Sequence, residues 1–63
     1  MVNIGTIRKK LNMSQIDFAK TIGVTQGAVS QWETGIATPS ADKLPEIARV
    51  LRCEISDLFK NEN

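Results

Sequence analysis

Three carboxamides and one hydroxyl carry most of the chemistry available to this chain. Gln26, Ser30 and Gln31 lie close together on what reads as one short helix, and Gln15 stands one helix upstream. A carboxamide sets a donor beside an acceptor, which suits recognition of the paired donor and acceptor on the edge of adenine rather than catalysis. Behind the polar residues, Val29 and Trp32 supply an apolar back. A helix with an apolar back and a front of amides and hydroxyls is equipped to lie in the major groove of DNA. No other segment of the chain competes with residues 15–35 as a functional site.

The residue types that are missing exclude other chemistry. The chain has no histidine, no tyrosine and a single cysteine, Cys53. Transition-metal sites and intramolecular disulfides are therefore not expected. No phosphate-binding glycine loop is present, and Asp42 and Glu46 read as a solvated helix face rather than a catalytic carboxylate pair. The expectation is a protein that is not an enzyme and holds no cofactor and no metal. Cys53 reads as a partly buried thiol in a reducing compartment. No apolar run approaches the ~18 residues of a membrane span, and the N-terminus lacks the order of a signal peptide. A cytoplasmic location follows, with no membrane partner and no evident small-molecule ligand.

Sixty-three residues, 41% hydrophobic and 24% charged, read as one soluble domain spanning 1–63. A domain this small buries only roughly 60% of its unfolded surface, so a compact all-α fold is the easiest core to build. The net charge of +1 is modest for a nucleic-acid binder. The bases are nonetheless concentrated early: Arg8, Lys9, Lys10 and Lys20 face only Asp17 and Glu33 within residues 1–35, whereas acids outnumber bases after that. A moderate affinity is expected.

Periodicity and punctuation predict five short helices. Asn3 can cap a first helix over Ile4–Leu11, with Ile4, Ile7 and Leu11 on one face. Lys9 and Lys10 near its end suit the helix dipole, and Lys10 is equally placed for a phosphate contact. Ser14 and Asp17 fit a capping box that opens a second helix, Gln15–Ile22, with Phe18, Ala19 and Ile22 inward. Gly23 ends that helix in a left-handed conformation, Thr25 caps a third over Gln26–Thr34, and Gly35 stops it. Only Val24 separates terminator from cap, which fixes the angle between the two helices and requires the small Ala19 at their approach. After the Ile36–Pro39 loop, Ser40 or Asp42 caps a fourth helix with Leu44, Ile47, Ala48 and Leu51 inside. Its regular part is expected from near Asp42, so that Pro45 falls in the first turn. Ser56 can cap a last helix, Asp57–Phe59, setting Ile55, Leu58 and Phe59 against the core. The KNEN tail from Lys60 reads as polar and frayed.

Residues 15–34 fit the helix-turn-helix pattern at its demanding positions: small Ala19, then Gly23, then branched Val29. The string Gln-x-x-Phe-Ala-x-x-x-Gly-Val-Thr-x-x-x-Val-Ser-x-Trp-Glu-x-Gly resembles the DNA-binding domain of the lambda-repressor/Cro-like family, also called the xenobiotic-response-element type. Leu44-Pro45-Glu46-Ile47-Ala48 and Ile55-Ser56-Asp57-Leu58-Phe59 extend the resemblance over nearly the whole chain. It implies a compact five-helix, lambda-repressor-like domain with the helix-turn-helix at helices 2 and 3.

The resemblance also implies roles for individual residues. Gln26 and Gln31 are the expected base readers, Ser30 reaches a base or a phosphate, and Gln15 donates to a phosphate beside Gln26. Gly27 either lets the backbone approach the groove or leaves a base pair unread. Ser14, Thr34, Thr38 and the indole N–H of an otherwise buried Trp32 are further phosphate candidates. Arg8 and Glu33 fall where the family often has a buried ion pair. The loop after Gly35 has no lysine or arginine, so a shallow salt dependence is expected. The implied function is a sequence-specific transcriptional regulator, a repressor of phage or bacterial type, binding a double-stranded DNA operator as a homodimer that is weak without DNA. The alternative is an antitoxin-type protein-interaction module that also regulates its own gene.

Overall fold

Two hydroxyl caps and two left-handed glycines frame the central helices of the computed structural model, which describes residues 2–60. Ser14 Oγ accepts the Asp17 N–H at 3.0 Å and opens α2, Gln15–Ile22. Thr25 Oγ1 accepts the Ala28 N–H at 3.1 Å and opens α3, Gln26–Thr34. Each satisfies an N–H that the first turn of a helix would otherwise leave unpaired. Gly23 and Gly35 close the two helices, both at φ 85°, a conformation that a Cβ disfavours. Behind Gly35, the N–H groups of Ile36 and Ala37 both return to the Gln31 carbonyl.

The first helix, α1, spans Ile4–Lys10. Leu11 lies just outside it as the C-cap, and Asn3 makes no side-chain cap bond. The chain then turns through Asn12 at φ 57°, with Met13 N–H returning to the Arg8 carbonyl.

The fourth α-helix, α4, covers Leu44–Val50 and is preceded by a 3₁₀ turn at Ala41–Lys43. Pro45 explains the tighter start. It has no N–H to give the Ala41 carbonyl four residues back; that carbonyl takes the N–H of Leu44 instead, in the three-residue pattern of a 3₁₀ helix. Ser40 precedes this turn without capping it through its side chain.

The expected fifth α-helix is instead a 3₁₀ turn, Ile55–Phe59, so the described residues contain four α-helices. Its cap is Glu54 rather than Ser56, in a reciprocal box with Asp57, whose Oδ2 accepts the Glu54 N–H at 2.9 Å. A second correction concerns burial. Leu58 is fully buried, but Ile55 is 41% exposed and Phe59 51% exposed. Of the three apolar side chains of this turn, only Leu58 reaches the core. Lys60, expected to be frayed, pairs with Asp57 at 2.8 Å; the rest of the tail lies outside the described residues.

The core gathers Ile4 from α1, Phe18, Ala19 and Ile22 from α2, Val29 and Trp32 from α3, Ile47, Ala48 and Leu51 from the α4 region, and Leu58. Val2 joins it, and the Asn3 N–H is bonded to the Leu58 carbonyl, tying the two ends of the described chain together. α2 packs on α3 and α4, and α1 packs on α3. The recognition-type helix α3 is thus held from behind by two helices, with its opposite face left open.

Candidate nucleic-acid interface

Burial sorts the two faces of α3. Val29 is fully buried and Trp32 is 7% exposed, while Gln26, Gly27, Gln31 and Thr34 lie in solvent and Ser30 is half-buried. The open face therefore carries the amides, and the apolar back is consumed by the core.

Gln15 and Gln26 meet across the turn. Gln26 Nε2 donates to Gln15 Oε1 at 3.4 Å, and Gln15 Nε2 donates to Glu33 Oε1 at 3.0 Å. Behind them sits an ion pair with little access to water. Arg8 Nε donates to Glu33 Oε2 at 2.7 Å and Nη2 to Oε1 at 3.0 Å, the parallel fork that a guanidinium makes with a carboxylate. Arg8 Nη1 adds a third bond, to the Met13 carbonyl at 2.7 Å. One continuous chain of bonds thus joins the loop after α1, the end of α3, the start of α2 and the start of α3. The carboxyl of Glu33 feels opposing forces: burial pushes its pKa up, but hydrogen bonds from Arg8 and Gln15 and the charge of Arg8 prevail, holding it below the ordinary value. The hydrogen bond to Glu33 in turn raises the pKa of Arg8.

Gly5 makes room for this pair. A Cβ at residue 5 would stand 3.0 Å from Glu33 Oε1 and 3.2 Å from its carboxyl carbon. Gly5 was not among the residues expected to serve the site. The signal was a lone glycine inside a regular helical pattern, where it costs about 1 kcal/mol relative to alanine and so implies a packing reason. Gly27 differs: a Cβ there would meet nothing closer than Thr25 Oγ1 at 3.9 Å, so no packing demands glycine at that position.

The remaining candidates lie at helix ends, in the last turn of α3 and in the loop after it. Ser14 is exposed at the start of α2, and Thr38 is exposed in the loop after α3. Thr34 directs its hydroxyl back at the Ser30 and Gln31 carbonyls, at 3.0 and 3.3 Å. Trp32 has no hydrogen-bond partner for its indole N–H among the described residues. Because no buried side-chain nitrogen or oxygen is left unpaired, that N–H reaches the surface. Lys10 is exposed at the end of α1. Among the described residues no group of acidic, histidine or cysteine side chains could hold a metal ion, and no helix is long and apolar enough to cross a membrane.

Known proteins are similar to this chain in sequence and fold. The helix-turn-helix family is matched over residues 4–58. Repressor protein C2 of Salmonella phage P22 is 34% identical over 55 residues, which cover 87% of this chain and 26% of that protein. An HTH-type transcriptional regulator of Archaeoglobus fulgidus is 38% identical over 56 residues, covering 89% of this chain and 79% of its own length. The chain thus spans only about a quarter of the phage repressor but most of the archaeal regulator. Among solved structures, the P22 c2 repressor in complex with a synthetic operator matches with a TM-score of 0.83 and 35% identity, over 90% of this chain and 86% of that one.

Proposed function

The chain belongs to the helix-turn-helix family, and on that premise we propose that it is a sequence-specific DNA-binding transcriptional regulator, a cytoplasmic repressor of phage or bacterial type. The observation that carries this reading is the face of α3: exposed Gln26 and Gln31 on a helix whose Val29 and Trp32 are locked into the core. The fold's likeness to a phage repressor crystallised on an operator supports the same reading.

In this proposal residues 1–63 act as one DNA-binding domain with its helix-turn-helix at 15–34. Gln26 and Gln31 read base edges, with Ser30 beside them. Gly27 leaves its base pair unread, having no side chain to offer a base edge. Ser14, Gln15, the Trp32 indole N–H, Thr34, Thr38 and Lys10 meet phosphates and set the register. Repression is steric, by occupation of an operator overlapping a promoter.

One recognition helix reads only a few base pairs, so a homodimer on two half-sites about 34 Å apart completes the address. The exposed Ile55 and Phe59 are available for that contact because the closing turn does not bury them. Their small number favours a dimer that assembles on DNA rather than ahead of it.

Gln26→Ala tests the assignment. It is expected to lose about 1–3 kcal/mol on the operator and to relax one base position. Equal losses on operator and random duplex, measured at one salt concentration, remove Gln26 as a reader.

A further inference from the structure

Resting on the DNA-reading function proposed above, we propose that Glu33, although it faces inward, is a positioning residue that decides which base Gln26 accepts. The decision is transmitted by amide polarity. A carboxylate has only acceptors, so the carboxamide of Gln15 must turn its Nε2 toward Glu33, as it does at 3.0 Å. Gln15 then offers Oε1 to the other side. Gln26 answers with Nε2, at 3.4 Å.

This leaves Gln26 with one free N–H and a free Oε1. Adenine presents an N6 donor and an N7 acceptor in the major groove, and the free pair matches it. Guanine presents two acceptors there, N7 and O6, and meets an opposing Oε1. Were the polarity reversed, with Oε1 of Gln26 turned toward Gln15, both N–H groups would face the groove and guanine would be favoured.

Two features hold the source of polarity in place. Arg8 grips both oxygens of Glu33, at 2.7 and 3.0 Å. Gly5 leaves the space that the carboxylate occupies, where a Cβ would approach to 3.0 Å. The relay is direct in geometry and needs no movement of α3.

The test compares base preference rather than affinity. A random-sequence duplex pool is selected with the wild type, and the position read by Gln26 is identified as the one that Gln26→Ala no longer selects. Gln15→Met breaks the relay but leaves the Arg8–Glu33 pair intact. Its preference for adenine over guanine at that position is expected to fall by about tenfold, within what one bidentate contact commands. Gln15→Lys puts a donor-only group against Gln26 and is expected to turn the preference toward guanine. The double variant Arg8→Met/Glu33→Met removes the source itself without leaving a lone buried charge, and is expected to behave like Gln15→Met. If it does not fold, Glu33→Gln takes its place, which keeps the shape but can donate to Gln15 as well as accept from it. An unchanged ratio in that variant removes Glu33 as the source of polarity.

A purely structural Glu33 changes stability and overall affinity but not the ratio of adenine to guanine. An unchanged ratio in the Gln15 variants, or a wild type that selects something other than adenine there, overturns the relay while leaving DNA binding intact. A wild type that enriches no sequence removes the DNA-reading function and the relay with it.

Discussion

The helix-turn-helix half and the C-terminal half of this domain close their short helices by different means. α2 and α3 each begin on a hydroxyl that caps through its side chain and each end on a glycine at φ 85°. α4 begins with no side-chain cap, emerges from a 3₁₀ turn, and ends through Arg52 at φ 57°. The Cys53 N–H there returns to the Ala48 carbonyl, closing the end of α4 with a side chain in a conformation that costs a non-glycine residue about 1–2 kcal/mol. The helix-turn-helix unit also holds the Glu33–Gln15–Gln26 chain of bonds, anchored by Arg8 of α1. Like α4, α1 ends through a non-glycine residue at φ 57°, Asn12. The C-terminal half leaves Ile55 and Phe59 in solvent. The helix-turn-helix unit is thus closed at each helix end by local capping chemistry, whereas α4 relies on the turns at its two ends and on its core contacts.

The sharpest way to break this contrast is at Arg8. Arg8→Ala strands the Glu33 carboxylate and is expected to destabilise the fold by about 3–5 kcal/mol, measured by urea unfolding. The same pair makes stability depend on acid. Because the Glu33 pKa is lowered in the folded state, its contribution is full above the ordinary glutamate value of about 4.3 and is lost as pH falls through the lower folded value. Thermal unfolding from pH 6 downward is expected to show that loss, and Arg8→Met/Glu33→Met is expected to flatten it.

In the C-terminal half the corresponding weak point is Leu58, the one fully buried side chain of the closing turn. Leu58→Ala is expected to cost about 2–5 kcal/mol and to expose the Asn3 amide, whose acceptor is the Leu58 carbonyl, to faster hydrogen exchange. The smallest effect sharpens the contrast rather than breaking it. Arg52→Gly relieves the positive φ but adds freedom to the unfolded chain, so a gain of no more than about 1 kcal/mol is expected in the same unfolding experiment.

The difference between the halves also decided what was legible in the sequence. The Ser14 and Thr25 caps, the Gly23 and Gly35 stops and the limits of α2 and α3 could all be read because each is a local preference acting within a few residues. Ile55-Ser56-Asp57-Leu58-Phe59 could not be resolved in the same way. Five residues with apolar positions three and four apart suit an α-turn and a 3₁₀ turn alike, and the spacing does not say which of Ile55, Leu58 and Phe59 is buried. The site shows the same limit. Residue types and spacing identified the amide face, and the family resemblance supplied the Arg8–Glu33 pairing, but the direction of each carboxamide comes from a carboxylate on another helix. Gly5 escaped notice because its reason, the approach of Glu33, lies 28 residues along the chain in a tertiary contact.

Whether the amide face of α3 reads DNA is decided by selection of bound duplexes from a random pool, with wild type and Gln26→Ala run side by side at low salt. The wild type is expected to enrich a motif in which one adenine disappears from the variant's selection while the flanking positions persist. No enrichment by the wild type, or identical motifs from both proteins, would contradict it.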